Sequence, residues 1–338
     1  MQLRYVNLGS TAGGDGTTNN IVGADRAFAS LYDAVDAVPD SPSDAYTITC
    51  TKGAGGQDTT PVTQTPLSQT TTPAYYILIQ AAVGDRACIP HDTGRYTLAV
   101  TNADGIYNNA PCHLRIDGLQ VQVTVTDASS KLGIKTTNAN QTAADIDCRI
   151  TNCVVKAIRT SGSVTGFNSR PWGGSAGGTS VIKNCATYNG YQGFNSDLAA
   201  CEMYNCTSFD CDYGFVADAA FTAKNCLGSC VASYGQFVGT FSAGSDYNAE
   251  DDSGGAPGAH SHSGHAFTFV NAGADNFHLA SGDVGARGLG IGPGSDAKVP
   301  TTDIDGDARS GATCDIGADE YAAGGGGDVT RPLTGVCG

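Results

Sequence analysis

Between residues 147 and 229 apolar side chains fall at every second position in short runs, and the runs recur in step with an Asn-Cys pair. The pair stands at Asn152-Cys153, Asn184-Cys185, Asn205-Cys206 and Asn225-Cys226, the last three 21 and 20 residues apart. An alternation of two marks strands with one inward face. A return after about 20 residues is the contour of one coil of a stacked solenoid. Aligned on the pair, Cys148, Ser180, Cys201 and Phe221 form one expected inward column, Ile150, Ile182, Met203 and Ala223 a second, and Val155, Thr187, Ser208 and Gly228 a third. Leu114, Ile116, Leu119 and Val121 add an earlier coil, with Gly118 in the place of Asn. Gly and Asn enter the left-handed conformation most easily, so a sharp turn between strands is expected there. Asn amides stacked in register can also hydrogen-bond along the axis. The spacings of 34 and 32 residues before the regular part imply loop excursions, and the loop over 169–178 displays the single tryptophan, Trp172.

Ahead of the coils, residues 25–38 place Phe28, Leu31, Val35 and Val38 on one helical face, with Asp25 as N-cap and Pro39 as the stop. A solenoid end presents unpaired backbone, so this segment is expected to be a capping helix. The Thr/Gln/Pro-rich stretch 51–73 reads as an excursion, and 75–80 and 96–100 as further strands. Near Tyr247 the pattern stops. The expected organisation is a strand and capping helix over 1–45, coils with excursions over 46–247, a β/loop region over 248–323 and a Gly-rich tail over 324–338.

Composition agrees with short strands and tight turns: 46 Gly and only 15% charged residues in 338. A net charge of -15 excludes nucleic-acid phosphates as a partner. No segment reads as a membrane span. The start enters a strand at once, without a basic region followed by an apolar one, so either a signal was removed ahead of this numbering or the protein leaves the cell by another route, such as lysis. Thirteen cysteines lack the spacing of a zinc site. In the column Cys153, Cys185, Cys206, Cys226, neighbours should lie about 4.8 Å apart with parallel Cβ vectors, whereas a disulfide wants Cβ atoms about 3.8 Å apart. Mostly free, packed thiols are therefore expected. Cys337, beyond the glycines 324–327, is the candidate for an intermolecular disulfide.

The opening Tyr5-Val-Asn-Leu-Gly-Ser-Thr-Ala-Gly-Gly-Asp-Gly-Thr-Thr18, the short pieces Asp246-Tyr-Asn, Ala256-Pro-Gly258 and Asn276-Phe-His-Leu279, and the closing Asp303-Ile-Asp-Gly-Asp-Ala-Arg309 with Cys314-Asp-Ile-Gly-Ala-Asp-Glu-Tyr321 resemble the right-handed parallel β-helix repeat proteins of bacteria and their phages. The resemblance spans nearly the whole chain and is most specific in the final Asp-Ile-Gly-Ala-Asp-Glu. It implies an all-β, right-handed parallel β-helix with an N-terminal capping helix and an irregular Gly-rich C-terminal region. The family includes cell-surface proteins, polysaccharide-active enzymes and virion components. Its members often continue into a surface anchor past the closing motif; here a short tail, Pro332-Leu-Thr-Gly-Val-Cys-Gly338, argues against one.

Candidate chemistry is sparse. Asp197 and Asp218 each follow a Gly-Phe pair at the same distance, so stacked coils would set their carboxylates about 5 Å apart, the separation of a retaining glycosidase. Solvated, turn-capping aspartates are the simpler reading. The polygalacturonase-type set is missing, since Asp251-Asp252 and Gly264-His265 do not rebuild it, and no basic residue faces a pectate-lyase-like calcium cluster. His260, His262 and His265 offer imidazoles for zinc or nickel from a Gly/Ser loop. Asp303, Asp305 and Asp307 imitate the start of a calcium loop, yet Gly306 stands at the fourth place and Cys314 at the twelfth. A self-capped turn, with Arg309 paired to Asp305 or Asp307, is simpler. Trp172 is the candidate for contact with a glycan or a protein partner, and folding back on the solenoid is its alternative.

The leading expectation is a non-catalytic structural or adhesive β-helix exposed outside the cell, on a virion or cell surface, in the form of a bacteriophage decoration, collar or tail-spike-like protein. One alternative is a secreted polysaccharide lyase or glycoside hydrolase working through Asp197 and Asp218. Another is a bacterial surface filament or adhesin subunit joined through its ends. Partners would be copies of itself or other virion or surface proteins, or a glycan. No cofactor is expected, Ca2+ being the one ion the aspartate loop raises.

Overall fold

The computed structural model describes residues 1–63, 67–108, 112–139, 147–172, 179–197, 200–230, 234–309 and 311–321. Nearly all its regular structure is strand, and the long sheets are parallel throughout. Three runs of strands stack along the molecule. The first holds Gln2–Asn7, Tyr46–Thr51, Ile77–Ala81, Leu114–Asp117, Asp147–Thr151, Thr179–Lys183, Ala200–Tyr204 and the end of Tyr213–Lys224. The second holds Thr97–Thr101, Gln120–Val125, Val154–Arg159, Ala186–Tyr188, Thr207–Phe209, Leu227–Ser229 and Ala249–Glu250. A third joins Ile106–Tyr107, Ser130–Ala139, Ser163–Trp172, Gln192–Ser196, the start of Tyr213–Lys224 and Phe237–Phe241. The chain visits first, second and third run in turn, which gives an all-β, solenoid-like stack.

The expected columns are in register. Ser180 pairs with Cys148 and Cys201, Ile182 with Ile150 and Met203, and Thr187 with Val155 and Ser208. At the corner between first and second runs, Asn152, Asn184, Asn205 and Asn225 have φ between 49° and 54°, and Gly118 has φ 73°. Only this conformation lets the chain turn from one run to the next within a single residue, which is why Asn and Gly exchange there. Asn205 is fully buried, so Asn205→Ala is expected to cost about 2–3 kcal/mol, the sum of a left-handed alanine and lost hydrogen bonds. Asn205→Gly should recover the backbone part alone, and the ordering Asn above Gly above Ala in urea midpoint is the check.

The thiol column is packed as expected. Cys153, Cys185, Cys206 and Cys226 are buried and unbridged, and the last three point Sγ at a carbonyl one winding back, Ile150, Ile182 and Met203, each at 3.7 Å. A second column was not anticipated. Phe167, Phe194, Phe215 and Phe237 of the third run stack with centroids 4.9 Å apart and planes within 9° of parallel. Beside them Gly166 and Gly193 lie so close to the next winding that an added Cβ would sit 2.7 Å from a carbonyl oxygen. That close approach, rather than a turn, explains the repeated Gly-Phe.

Two expectations for the amino end need correction. The helix is only Leu31–Asp36, capped by Ser30, whose Oγ accepts from Asp33 N; Asp25 is no cap. Phe28 is extended instead, exchanging bonds with Tyr5 and Asn7 to cover the free edge of the first strand, a task a helix could not perform. Burial of Phe28, Leu31, Val35 and Val38 is nonetheless as expected. Part of the 51–73 stretch read as an excursion is built into the stack: Asp58 bridges Leu98 and Val62 bridges Ile106, so residues 58–62 cover the first strands of the second and third runs.

Past residue 266 the chain runs back along the stack. Phe269–Asn271 pairs antiparallel with Asn276–Leu279, and Gly290–Ile291 with Thr313–Cys314. This region docks on the outside of the second run, with Phe277 against Tyr188 and Phe209, and on the asparagine corner. Among the described residues its salt bridges to the stack include Lys156–Asp275, Lys224–Asp296 and Lys298–Glu202.

Candidate functional site

The asparagine series only partly bonds to itself. Asn184 Nδ2 donates to Asn152 Oδ1 at 3.1 Å and Asn225 Nδ2 to Asn205 Oδ1 at 3.2 Å, while Asn152 Nδ2 reaches Asp117 Oδ1 at 2.7 Å. Between Asn184 and Asn205 the expected array gives way. There the amides turn to the C-terminal region: Asn184 to Thr302 O at 2.6 Å, Asn205 to Asp315 O at 3.3 Å and Asn225 to Ile291 O at 2.8 Å. The ladder is therefore a docking rail. Asp117 carries a second load, since Arg86 pairs with it at 2.8 Å; burial would raise its carboxyl, yet the Arg86 and Asn152 contacts hold it below the ordinary range.

The structure brings Asp197 and Asp218 together. Ser196 pairs with Ala217, and Asp197 N continues the ladder to Ser169 O at 2.8 Å. Partial desolvation and a hydrogen bond with Asp197 push the Asp218 carboxyl up, while Asn195 pulls it down. Beneath the pair, buried Asn168 donates to Asn195 Oδ1 at 3.0 Å and points at Asp197 Oδ2 at 3.4 Å. The arrangement sets two carboxyls side by side on adjacent windings, with the Asp218 carboxyl raised.

The histidine loop does not assemble a ligand set. His260 Nδ1 meets Asp246 Oδ2 at 2.7 Å and its ring stacks on Tyr247, while His262 and His265 face each other with centroids 5.8 Å apart. Buried Glu250 holds this loop, accepting from Ala256 N at 2.7 Å and Ser263 Oγ at 2.7 Å. Trp172 closes the strand Ser163–Trp172 in register with Ala139; its side chain, like Cys337, lies outside the described residues.

Asp303, Asp305 and Asp307 form a self-capped turn rather than a calcium loop: Asp303 Oδ1 accepts from the amides of Asp305 and Asp307. Arg309 does not pair with Asp305 or Asp307. It is buried and donates to Glu320 Oε2 at 3.1 Å and to the carbonyls of Asp315 and Gly317. Among the described residues the group whose three donor atoms lie within 4.8 Å of one another is His278, Asp305 and Asp319, of which sequence reasoning named only Asp305. His278 was missed because its partners come from turns 27 and 41 residues further along the chain.

A titration follows from the loop packed beneath Phe277 and Ile304, where Ala87 and Ile89 belong to the same apolar cluster. Burial, followed by the Lys156 charge, lowers His91 to about 4. The unfolded chain protonates this imidazole first, so its contribution is complete above about pH 6.5 and fades toward pH 4, a loss approaching about 3 kcal/mol. Asp319, raised by burial to about 6, and Glu320, raised by burial to about 7, run the opposite way, gaining stability as pH falls. The measurable is therefore a difference. His91→Gln should unfold with a midpoint that gains on wild type steadily between those two pH values, and parallel profiles would refute the assignment.

No family model matches the sequence, and no curated protein or solved structure matches it either. Among the described residues no helix is long and apolar enough to cross a membrane.

Proposed function

We propose that this chain is a non-catalytic structural or adhesive rod, a right-handed parallel β-helix working outside the cell as a bacteriophage virion component of the decoration, collar or tail-spike-like kind. One observation carries the reading: the groups the sequence offers for chemistry are spent on architecture. Asp303 caps a turn, His260 is tied to Asp246, and Asn184, Asn205 and Asn225 hold the C-terminal region to the stack. A stiff stack with a continuous core of apolar and aromatic columns suits a part that transmits load and presents its flanks to partners. Its partners are copies of itself or other virion or surface proteins. The organisation that goes with this role is a covered amino end, a stack to about residue 247, and a lateral C-terminal region ending at the closing motif.

The test has two arms. Mass spectrometry of purified particles and the neighbours of the coding sequence should place the chain among capsid or tail proteins, and sedimentation should show an elongated species. Reducing-sugar or unsaturated-product release from a panel of polysaccharides, abolished in Asp197→Asn or Asp218→Asn, would overturn the proposal. That outcome is the second reading, a polysaccharide hydrolase. It is favoured by the raised Asp218 beside Asp197.

A further inference from the structure

Three side chains from separate parts of the C-terminal region aim donor atoms at one spot. His278 Nε2 stands 2.9 Å from Asp305 Oδ2 and 4.0 Å from Asp319 Oδ1. Zn2+ bonds of about 2.0–2.2 Å set tetrahedral donors roughly 3.4 Å apart, within this range. Asp319 is placed for the role: its side chain is 9% exposed, its Oδ2 accepts from Leu279 N at 2.7 Å, and its Oδ1 is left to face His278 Nε2 at 4.0 Å, an ion pair that a cation set between them would replace. The other ring nitrogen, His278 Nδ1, lies 2.6 Å from Asn276 Oδ1, an outer contact of the sort that orients a ligating imidazole. Arg309, the nearby guanidinium, is committed to Glu320 and to carbonyls.

We propose that His278, Asp305 and Asp319 form a binding site for one divalent first-row cation of the Zn2+ type, which clips the strand Asn276–Leu279 to the two turns of the closing motif. Ca2+ and Mg2+ prefer all-oxygen shells, whereas an imidazole nitrogen with carboxylates suits Zn2+ and its neighbours. The site is independent of the virion reading and would serve a rod or an enzyme alike.

Isothermal titration of the chelator-treated full chain with Zn2+ alone is the test. One Zn2+ per chain is expected, with affinity lowered about tenfold or more in His278→Ala and in Asp319→Asn. The His262→Ala/His265→Ala double variant should titrate like wild type. Because Asp319 also holds Leu279 N, Asp305→Asn, at the most exposed of the three positions, repeats the measurement without touching that bond. Co2+ loaded into wild type needs no variant and should give ligand-field bands without a thiolate charge-transfer band. Unchanged affinity in His278→Ala, loss of uptake in the double variant, a cobalt-thiolate band, or no Zn2+ uptake by wild type would each overturn the proposal.

Discussion

Phe194→Ala is expected to destabilise the stack by about 3–5 kcal/mol, the range for deleting a fully buried aromatic ring. The ring lies between Phe167 and Phe215 at 4.9 Å on either side, with interplanar angles of 7° and 4°. Both contacts vanish together, and stacked pairs add about 0.5–1.5 kcal/mol each beyond area burial. Collapse around the gap is blocked, because the flanking backbones are held at strand spacing by the ladder and the close-packed Gly166 and Gly193 leave no slack. Phe194→Leu keeps most of the volume and loses the stacking, so a cost nearer about 1–2 kcal/mol is expected. Denaturant midpoints order the variants, and hydrogen exchange over 164–217 shows whether the loss spreads to neighbouring windings, as coupled repeats require. A midpoint for Phe194→Ala equal to that of wild type would mean the column is not core.

Arg309→Ala is expected to loosen the closing motif of the C-terminal region while the windings stay folded. The guanidinium is fully buried and fans out to Glu320 Oε2 and to the carbonyls of Asp315, Gly317 and Asp319, so its removal takes a donor from four acceptors at once. Breaking a buried pair from one side costs about 3–5 kcal/mol. Burial already raises Glu320 to about 7, and without Arg309 it should take up a proton at neutral pH. A lysine cannot span acceptors on four residues from one nitrogen, so Arg309→Lys should rescue little. Arg309→Met/Glu320→Gln, which removes both charges, should recover part of the loss. Limited proteolysis between 267 and 321 is the readout, with far-UV dichroism of the stack unchanged. Cleavage at the wild-type rate would refute the bracing role.

The stack was legible because its signal is periodic. Asn-Cys pairs at near-constant spacing carry register, and register carries the inward columns at Cys148, Ile150 and Val155 through every later winding. The Gly-Phe pairs before Asp197 and Asp218 were read as position markers, and the stacking of Phe167, Phe194, Phe215 and Phe237 was not drawn from them. At the amino end a helical spacing of apolar residues was real, but Phe28 satisfied it as an extended edge cover, since tertiary demand for a paired strand outweighs a weak local preference. Asp58 shows the same limit: its carboxylate accepts from Leu31 N and Tyr96 Oη at 2.7 Å each, a link across the fold that no local pattern announces. The Asp197/Asp218 neighbourhood was legible from equivalent positions. The His278 cluster was illegible because a return path along the outside of a stack has no period of its own.

The docking rail also constrains how such a molecule can change length over generations. Duplicating or deleting a winding ahead of residue 150 leaves the three docking amides in register with their acceptors and displaces the packing of Ala87 and Ile89 on Phe277 and Ile304. The same event between Asn184 and Asn225 would slide these amides by about 4.8 Å against the carbonyls of Thr302, Asp315 and Ile291, a full rung out of alignment. Size variants should therefore differ in the front half, while the three rungs beneath the return path stay fixed in number.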